Sequence, residues 1–396
     1  MKTTAIGFLL LVLATGAVAL TGQQPALFQG QLQQVDFKAP EFPPPAQVLA
    51  PPTTESTAAA LPPVSQPGAQ PPSQPTGPEP APPGQQTEVQ SNGITWINSR
   101  PLTMEKLRGQ VVMLDFWEYT CINCIRTLPE TIKWYNRYRQ YGFEVIGVHG
   151  PEFNIAFPVE NVRKAVKRFG IPYPVVVDDQ FKIFRLYNAD AWPVRFLIDA
   201  NGVVRYERVG EGGDSAFEQA IQDLLKQAHP GLTFPTSDAI APPANAFSPA
   251  CGSETPEMYV GDWNGRGVLA NPEGYRADRT FNYKLPPSVA DGRVVLAGKW
   301  RTGHNAMTYE GKKKSAGGEL EMRYHARELY AVMNVARAHP SRLYITQDGK
   351  DLTQSNKGVD VQIDAQGHSY IEVRASRMYY LVANHADGSH VVVLRP

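Results

Sequence analysis

The chain has 396 residues, 42% of them hydrophobic, and its 38 basic and 38 acidic residues balance to a net charge of zero. That length and apolar content allow at least two hydrophobic cores, and without a clustered basic excess nucleic acid and anionic membrane surfaces are poor partners. Three cysteines in so long a chain exclude a disulfide scaffold.

Residues 1–20 open with Lys2, continue through an apolar run from 5 to 13 and reach Ala17-Val18-Ala19, a small-residue pattern suited to signal-peptidase cleavage. The expectation is a signal peptide or, alternatively, an uncleaved N-terminal anchor, for which residues 5–20 fall short of the ~20 a spanning helix needs. Either reading exports the protein. Residues 21–90 are expected to form a disordered linker. From 40 to 84, 16 of 45 residues are proline, so this part has little to bury and should be an extended polyproline II tether, over ~100 Å when fully stretched at ~3.1 Å per residue.

The first folded domain is expected over 91–229. Residues 94–98 read as a strand and 103–108 as a short helix ended by Gly109. The apolar run 111–117 has the length and composition of a buried strand. Four residues later a helical pattern begins, with Ile122, Ile125, Leu128, Ile132 and Tyr135 as its inward face. Pro129 would kink it. A second apolar strand covers 144–148. Asn161 caps a helix through Phe169 that Gly170 ends. A strand at 175–177, a helix at 181–187, a hairpin of 194–198 and 203–209 turned at Asn201-Gly202, and a helix at 215–228 complete the pattern. Strands alternating with helices give an α/β fold with a mixed central sheet.

Cys121 and Cys124 stand at the start of the helix that follows the central strand. Two cysteines three apart there can close a disulfide, and the free amides and dipole of a helix N-terminus stabilise a thiolate on the first. Cys121 is therefore the expected nucleophile, with a depressed pKa. Half of a zinc site is the bland alternative, but that needs about four ligands, and the chain offers one such pair and a distant Cys251. Asp115 lies on the strand, on the face of Met113 and Trp117, where burial should raise its pKa. His149 and Glu152, following the second strand, could fall near the active site, but the favoured reading is an ordinary loop or packing role for each.

The segments DFWEYTCINCIRTLPE, EVIGVHGPEF, NVRKAVKRFGIPYPVVVDD and AWPVRFLIDANG, in that order over more than a hundred residues, resemble the thioredoxin superfamily. They are most similar to its extracytoplasmic TlpA-like branch and to the thioredoxin domain of DipZ-type proteins. The resemblance implies a thioredoxin fold and thiol–disulfide exchange. It makes Cys121 the attacking thiol, Cys124 the resolving thiol, Asp115 the buried acid and Pro193 a cis-proline facing the dithiol. Trp192, and Trp117 with it, would line the substrate groove. Thr120 stands where many thioredoxins carry a tryptophan. The resemblance implies no cofactor beyond the Cys121–Cys124 pair, and its partners would be protein disulfides or dithiols and a membrane electron donor of the CcdA/DsbD type. A direction as reductant is the expectation. A tethered adaptor and a thiol peroxidase are the rival readings.

A second linker, 230–250, is again rich in Pro and Ala. Beyond it, over 251–396, Leu320, Met322 and Tyr324 alternate, as do Val359, Val361 and Ile363, with turn signals at Asp348-Gly349, 365–367 and Asp387-Gly388. These imply an antiparallel β-sandwich. Residues 254–261, with this strand series, resemble the carboxyl-terminal jelly-roll module of DipZ-type proteins, which is similar to carbohydrate-binding modules. Its ligand would be a glycan or a protein. Trp263 and Trp300 could stack on a sugar, although core packing is the favoured role.

Overall fold

A computed structural model describes residues 32–43, 94–234, 254–262, 267–276, 278–311, 317–334 and 341–396, together with the backbone of Ile6–Phe8 (β1) and Leu11–Leu13 (β2). Cys251, Trp263 and most of both proline-rich stretches lie outside them.

The first domain is built on a seven-stranded sheet. Its strands are Gln33–Lys38 (β3), Ile94–Ile97 (β4), Val111–Trp117 (β5), Phe143–His149 (β6), Val175–Asp178 (β7), Val194–Ile198 (β8) and Val203–Val209 (β9), in the order β3-β9-β8-β5-β6-β7-β4. Pairs β5/β6 and β6/β7 are parallel and the others antiparallel. Among the described residues four α-helices flank it: Ile122–Tyr138 (α1), Val159–Phe169 (α2), Lys182–Leu186 (α3) and Asp214–Ala228 (α4). Every residue of β5 is buried, as expected of a central strand covered on both faces. Met113 and Trp117 feed the core under α1, α2 and α4, while Val112, Leu114 and Phe116 feed the opposite one.

The linker expected over 21–90 is interrupted by folded chain. β3 pairs with β9 at the sheet edge, and the residues after it cross to the far side. Phe42, 4% exposed, packs edge-on against Trp96 at 5.5 Å, and the Glu41 carboxylate accepts the N–H groups of Met104 and Glu105 at 2.7 and 3.2 Å. Residues 103–108 form a series of turns and not the expected helix: among their backbone bonds only the Leu107 amide, on Thr103 O at 3.2 Å, keeps helical spacing. Phe42→Ala should lower stability by about 3 kcal/mol in urea denaturation. A loss under ~1 kcal/mol would mean that this segment is not part of the core.

The second domain is an antiparallel sandwich. Its larger sheet, ten-stranded among the described residues, includes Arg293–Thr302, Glu319–His325, Ser341–Gln347, Ser369–Val373 and Ser389–Arg395. The smaller, four-stranded, is ordered Met258–Tyr259, β2, Glu328–Met333, Arg377–Ala383. Leu320, Met322 and Tyr324 alternate inward as expected, but Val359 is 64% exposed and starts no strand. Trp300, 1% exposed and donating its Nε1–H to Ala297 O at 2.7 Å, is core and not a sugar platform. Within the N-terminal apolar run, β1 pairs with Met307–Tyr309, and β2 lies between Met258–Tyr259 and Glu328–Met333, whose edges offer backbone partners. No helix among the described residues is long and apolar enough to cross a membrane.

Glu328–Met333 is buried on both faces. Leu329, Ala331 and Met333 enter the sandwich core. Tyr330 and Val332 point the other way and, with Tyr259 and Met378, pack on Ile122, Ile125, Phe153 and Ile155 of the first domain. The smaller sheet is thus a lid on the start of α1.

Candidate active site

β5 ends at Trp117, and Glu118-Tyr119-Thr120 turns the chain into α1. Cys121 is the N-cap of that helix, with extended backbone, and its sulfur accepts the Cys124 N–H at 3.2 Å. Both cysteines are thiols here. Cys121 is 7% exposed and Cys124 is fully buried. Pro129 lies inside the helix. Its buried positions run Cys124, Leu128, Thr131, Trp134 and Tyr138, so Ile132 and Tyr135, expected inward, sit at the margin. Ile122 and Ile125 form a second apolar face toward the sandwich.

Burial of the cysteines in the first domain's own core reverses one expectation. The helix N-terminus is present, but burial pushes the Cys121 thiol well above its usual range, and the neighbouring Cys124 adds to the shift. Burial raises Cys124 too. A thiolate loses more by leaving water than the first turn of a helix returns.

Asp115 is fully buried beneath α1. Its direct neighbour across the β5/β8 register is Arg195, whose Nε lies 3.3 Å from Asp115 Oδ1 and whose Nη2 donates to Thr127 O at 3.0 Å and to Thr131 Oγ1 at 2.8 Å. Burial raises the carboxyl, as expected, while Arg195 pulls against it. The guanidinium, 1% exposed, also lies over the Trp134 ring at 5.2 Å.

The Trp192–Pro193 peptide is cis. It leads directly into β8, where Val194 pairs with Phe116, so the proline sits at the end of the sheet that carries the cysteines. Trp192, partly buried, packs on Phe184 at 5.4 Å and Phe181 at 6.3 Å. Trp117 cannot line a substrate groove: it is fully buried, edge-on to His149 at 5.4 Å.

Sequence reasoning missed Arg195, whose only local signal was a charge inside an apolar strand. It also missed Glu118. That carboxylate, fully buried, accepts the Thr120 N–H at 2.7 Å and the Thr120 hydroxyl, which gives the residue in the tryptophan position a structural role. Its second oxygen is 3.8 Å from His149 Nε2, and His149 stacks on Tyr119. His149 and Glu152, for which a place near the site was the less favoured reading, are both drawn to it.

Glu152 meets the sandwich at a shared donor. Tyr259 Oη is 3.1 Å from Glu152 Oε1 and 2.9 Å from Glu257 Oε2. One hydroxyl proton serves one acceptor, so the closed joint is satisfied when one acid holds its own proton. Burial, then Glu257 and Glu118, raises Glu152 well above its usual range; burial pushes Glu257 up to about 7. Cys121 is a further ionisable neighbour and feels Glu152. A carboxyl raised in the closed state favours closure while protonated and loses that contribution as pH rises through the raised value. Small-angle scattering should show the protein expanding between about pH 5 and about pH 8. The Glu152→Gln/Glu257→Gln double variant should stay compact throughout, and equal expansion in both proteins would refute the account.

Residues 87–207 match the AhpC/TSA family, and 255–396 match the thioredoxin like C-terminal domain. The chain is 37% identical over 131 residues to thiol-disulfide oxidoreductase ResA of Geobacillus kaustophilus, covering 33% of this chain and 72% of that one. It is 33% identical over 294 residues to protein DipZ of Mycobacterium tuberculosis, covering 72% of this chain and 40% of that one. Over 133 residues it is 37% identical to SUPPRESSOR OF QUENCHING 1, chloroplastic, of Arabidopsis thaliana, covering 33% of this chain and 13% of that one. The chain belongs to the thioredoxin-like thiol–disulfide oxidoreductases. Within them it is of the DipZ/TlpA type: the DipZ match is longer than either domain alone, although the chain spans only about 40% of that relative's length.

Proposed function

We propose that this protein acts outside the cytoplasm as a reductant of protein disulfides through the Cys121–Cys124 pair. The observation that carries the direction is the burial of both thiols, which raises the proton affinity of each. Strongly oxidising pairs have the opposite property, an attacking cysteine with a pKa near ~3.5 and a stabilised reduced form. Cys121 attacks one sulfur of the substrate disulfide and expels the other as a thiolate, leaving a mixed disulfide. Cys124 then attacks Cys121 Sγ, expels the second substrate thiolate and closes the Cys121–Cys124 disulfide. Two electrons pass to the substrate, and each thiolate released takes up a proton. Asp115, with Arg195 limiting its proton affinity, assists deprotonation of Cys124. Pro193 offers backbone to an extended substrate segment, and Trp192 forms a wall beside it. The apolar run at 1–20 supports export, and an integral membrane dithiol carrier of the CcdA/DsbD type would return the electrons. In this reading the sandwich is a cover that must lift for substrate to reach Cys121, and it carries any glycan or protein recognition.

Equilibration with glutathione tests the direction. A potential at or below about -200 mV supports the reductant reading, and one near about -120 mV overturns it. The match of residues 87–207 to the AhpC/TSA family favours a second reading, reduction of peroxide at Cys121. Turnover of hydrogen peroxide faster than of a disulfide-bonded peptide would select it.

A further inference from the structure

Helix α2 presents Asn161, Lys164, Ala165 and Arg168 along one stripe toward sandwich residues 374–377, and with Tyr119 they enclose a cavity of about 320 Å³ between the domains. Spacings of three and four place the α2 residues on one helix face. Four lining side chains are cationic, Lys164, Arg168, Arg374 and Arg377, and none is acidic. Three of the four have a carboxylate partner set outside the lining: Lys164 has Glu160 at 3.7 Å, Arg377 has Asp360 at 2.6 Å, and Arg374 has Glu372. Arg168 has no acidic partner within salt-bridge distance among the described residues, and its guanidinium lies over the Phe169 ring at 4.4 Å. Partial desolvation in the cleft, and then the like charge of Arg377, push it down to about 10, while Asp360 pulls against them. Arg168 thus brings to the cleft a solvent-exposed guanidinium that no carboxylate holds in a salt bridge among the described residues.

We propose that this cleft binds the phosphate group of a small phosphorylated metabolite, gripped by Arg168 from the redox domain and Arg374 from the sandwich. A guanidinium fork matches two phosphate oxygens at once, and the volume suits a small molecule rather than a peptide. The Ser376 hydroxyl, now 2.5 Å from Asn334 Oδ1, is a further donor in the wall. Because the two arginines come from different domains, the bound anion ties the cover to the body. Tyr119 joins the cavity to the turn that carries Cys121, so occupancy shields that thiol.

Titration calorimetry with inorganic phosphate at low salt tests this on the full chain. The expected result is saturable one-to-one binding, weakened at least tenfold in Arg168→Ala and in Arg374→Ala. Phosphate should also slow iodoacetamide labelling of Cys121 in the parent protein and leave the rate unchanged in Arg168→Ala. Both arginines lie at the surface, and thermal melts verify that the variants fold. No saturable heat with phosphate, or equal affinity in the parent and both variants, overturns the proposal.

Discussion

Serine at position 124 is expected to lower multiple-turnover disulfide reduction by roughly a thousandfold or more and to leave the protein bound to its substrates as a dithiothreitol-reversible adduct. Cys121 has the small solvent exposure a first attack requires, whereas Cys124 has none. The Cys121 sulfur is oriented by the Cys124 amide, at 3.2 Å, and an amide survives replacement of the side chain. The first attack should therefore persist in Cys124→Ser and the second should vanish. Serine differs from cysteine by one atom, so the fold should hold. Mass spectrometry of the adducts gives the check and names the substrates. Adducts on a Cys121→Ser protein, or normal turnover by Cys124→Ser, would reverse the assigned roles.

What was legible in the sequence had a local cause. β5, β8 and β9 begin and end where the sequence places them, and the β8/β9 turn needs Gly202 because its φ of 72° suits no side chain well. β3 was illegible because Gln33, Gln34, Asp36 and Lys38 look like linker; an exposed edge strand is fixed by pairing with β9, about 170 residues away, rather than by its own pattern. The dithiol could be placed from the Cys-x-x-Cys spacing, but its acidity could not. The helix N-terminus that lowers a thiol's pKa lies in the adjacent turn, whereas the burial that raises it comes from a core the cysteines share with residues as far along the chain as Tyr173, Phe217 and Leu225. Helical periodicity shows that Ile122 and Ile125 share a face; it does not say what covers it.

Arg195→Met should be the most destabilising single change beneath the site, at about 3–5 kcal/mol, because it leaves the Asp115 charge buried without its partner. The pair is inaccessible to water, with Asp115 at 0% and Arg195 at 1% exposure, so solvent cannot replace the lost guanidinium. Two attachments between sheet and helix go with it, the donations to Thr127 O and Thr131 Oγ1 at 3.0 and 2.8 Å, and one between neighbouring strands, the contact to Asp115 at 3.3 Å. The pH signature separates charge from packing. Asp115 already binds its proton more tightly folded than unfolded, with burial the largest cause and Arg195 the main opposing one. Without Arg195 the folded-state pKa rises further. A carboxyl raised on folding favours the native state below its unfolded pKa and loses that contribution as pH climbs through the folded one. The Arg195→Met protein should therefore be least impaired near about pH 4 and most impaired above neutrality. Adding Asp115→Asn should restore stability at pH 7 by removing the stranded charge, although the lost helix contacts keep it below the parent. Urea denaturation of the four proteins at the two pH values measures the coupling. Equal destabilisation at both, with no recovery in the double variant, would show that Arg195 acts through packing alone.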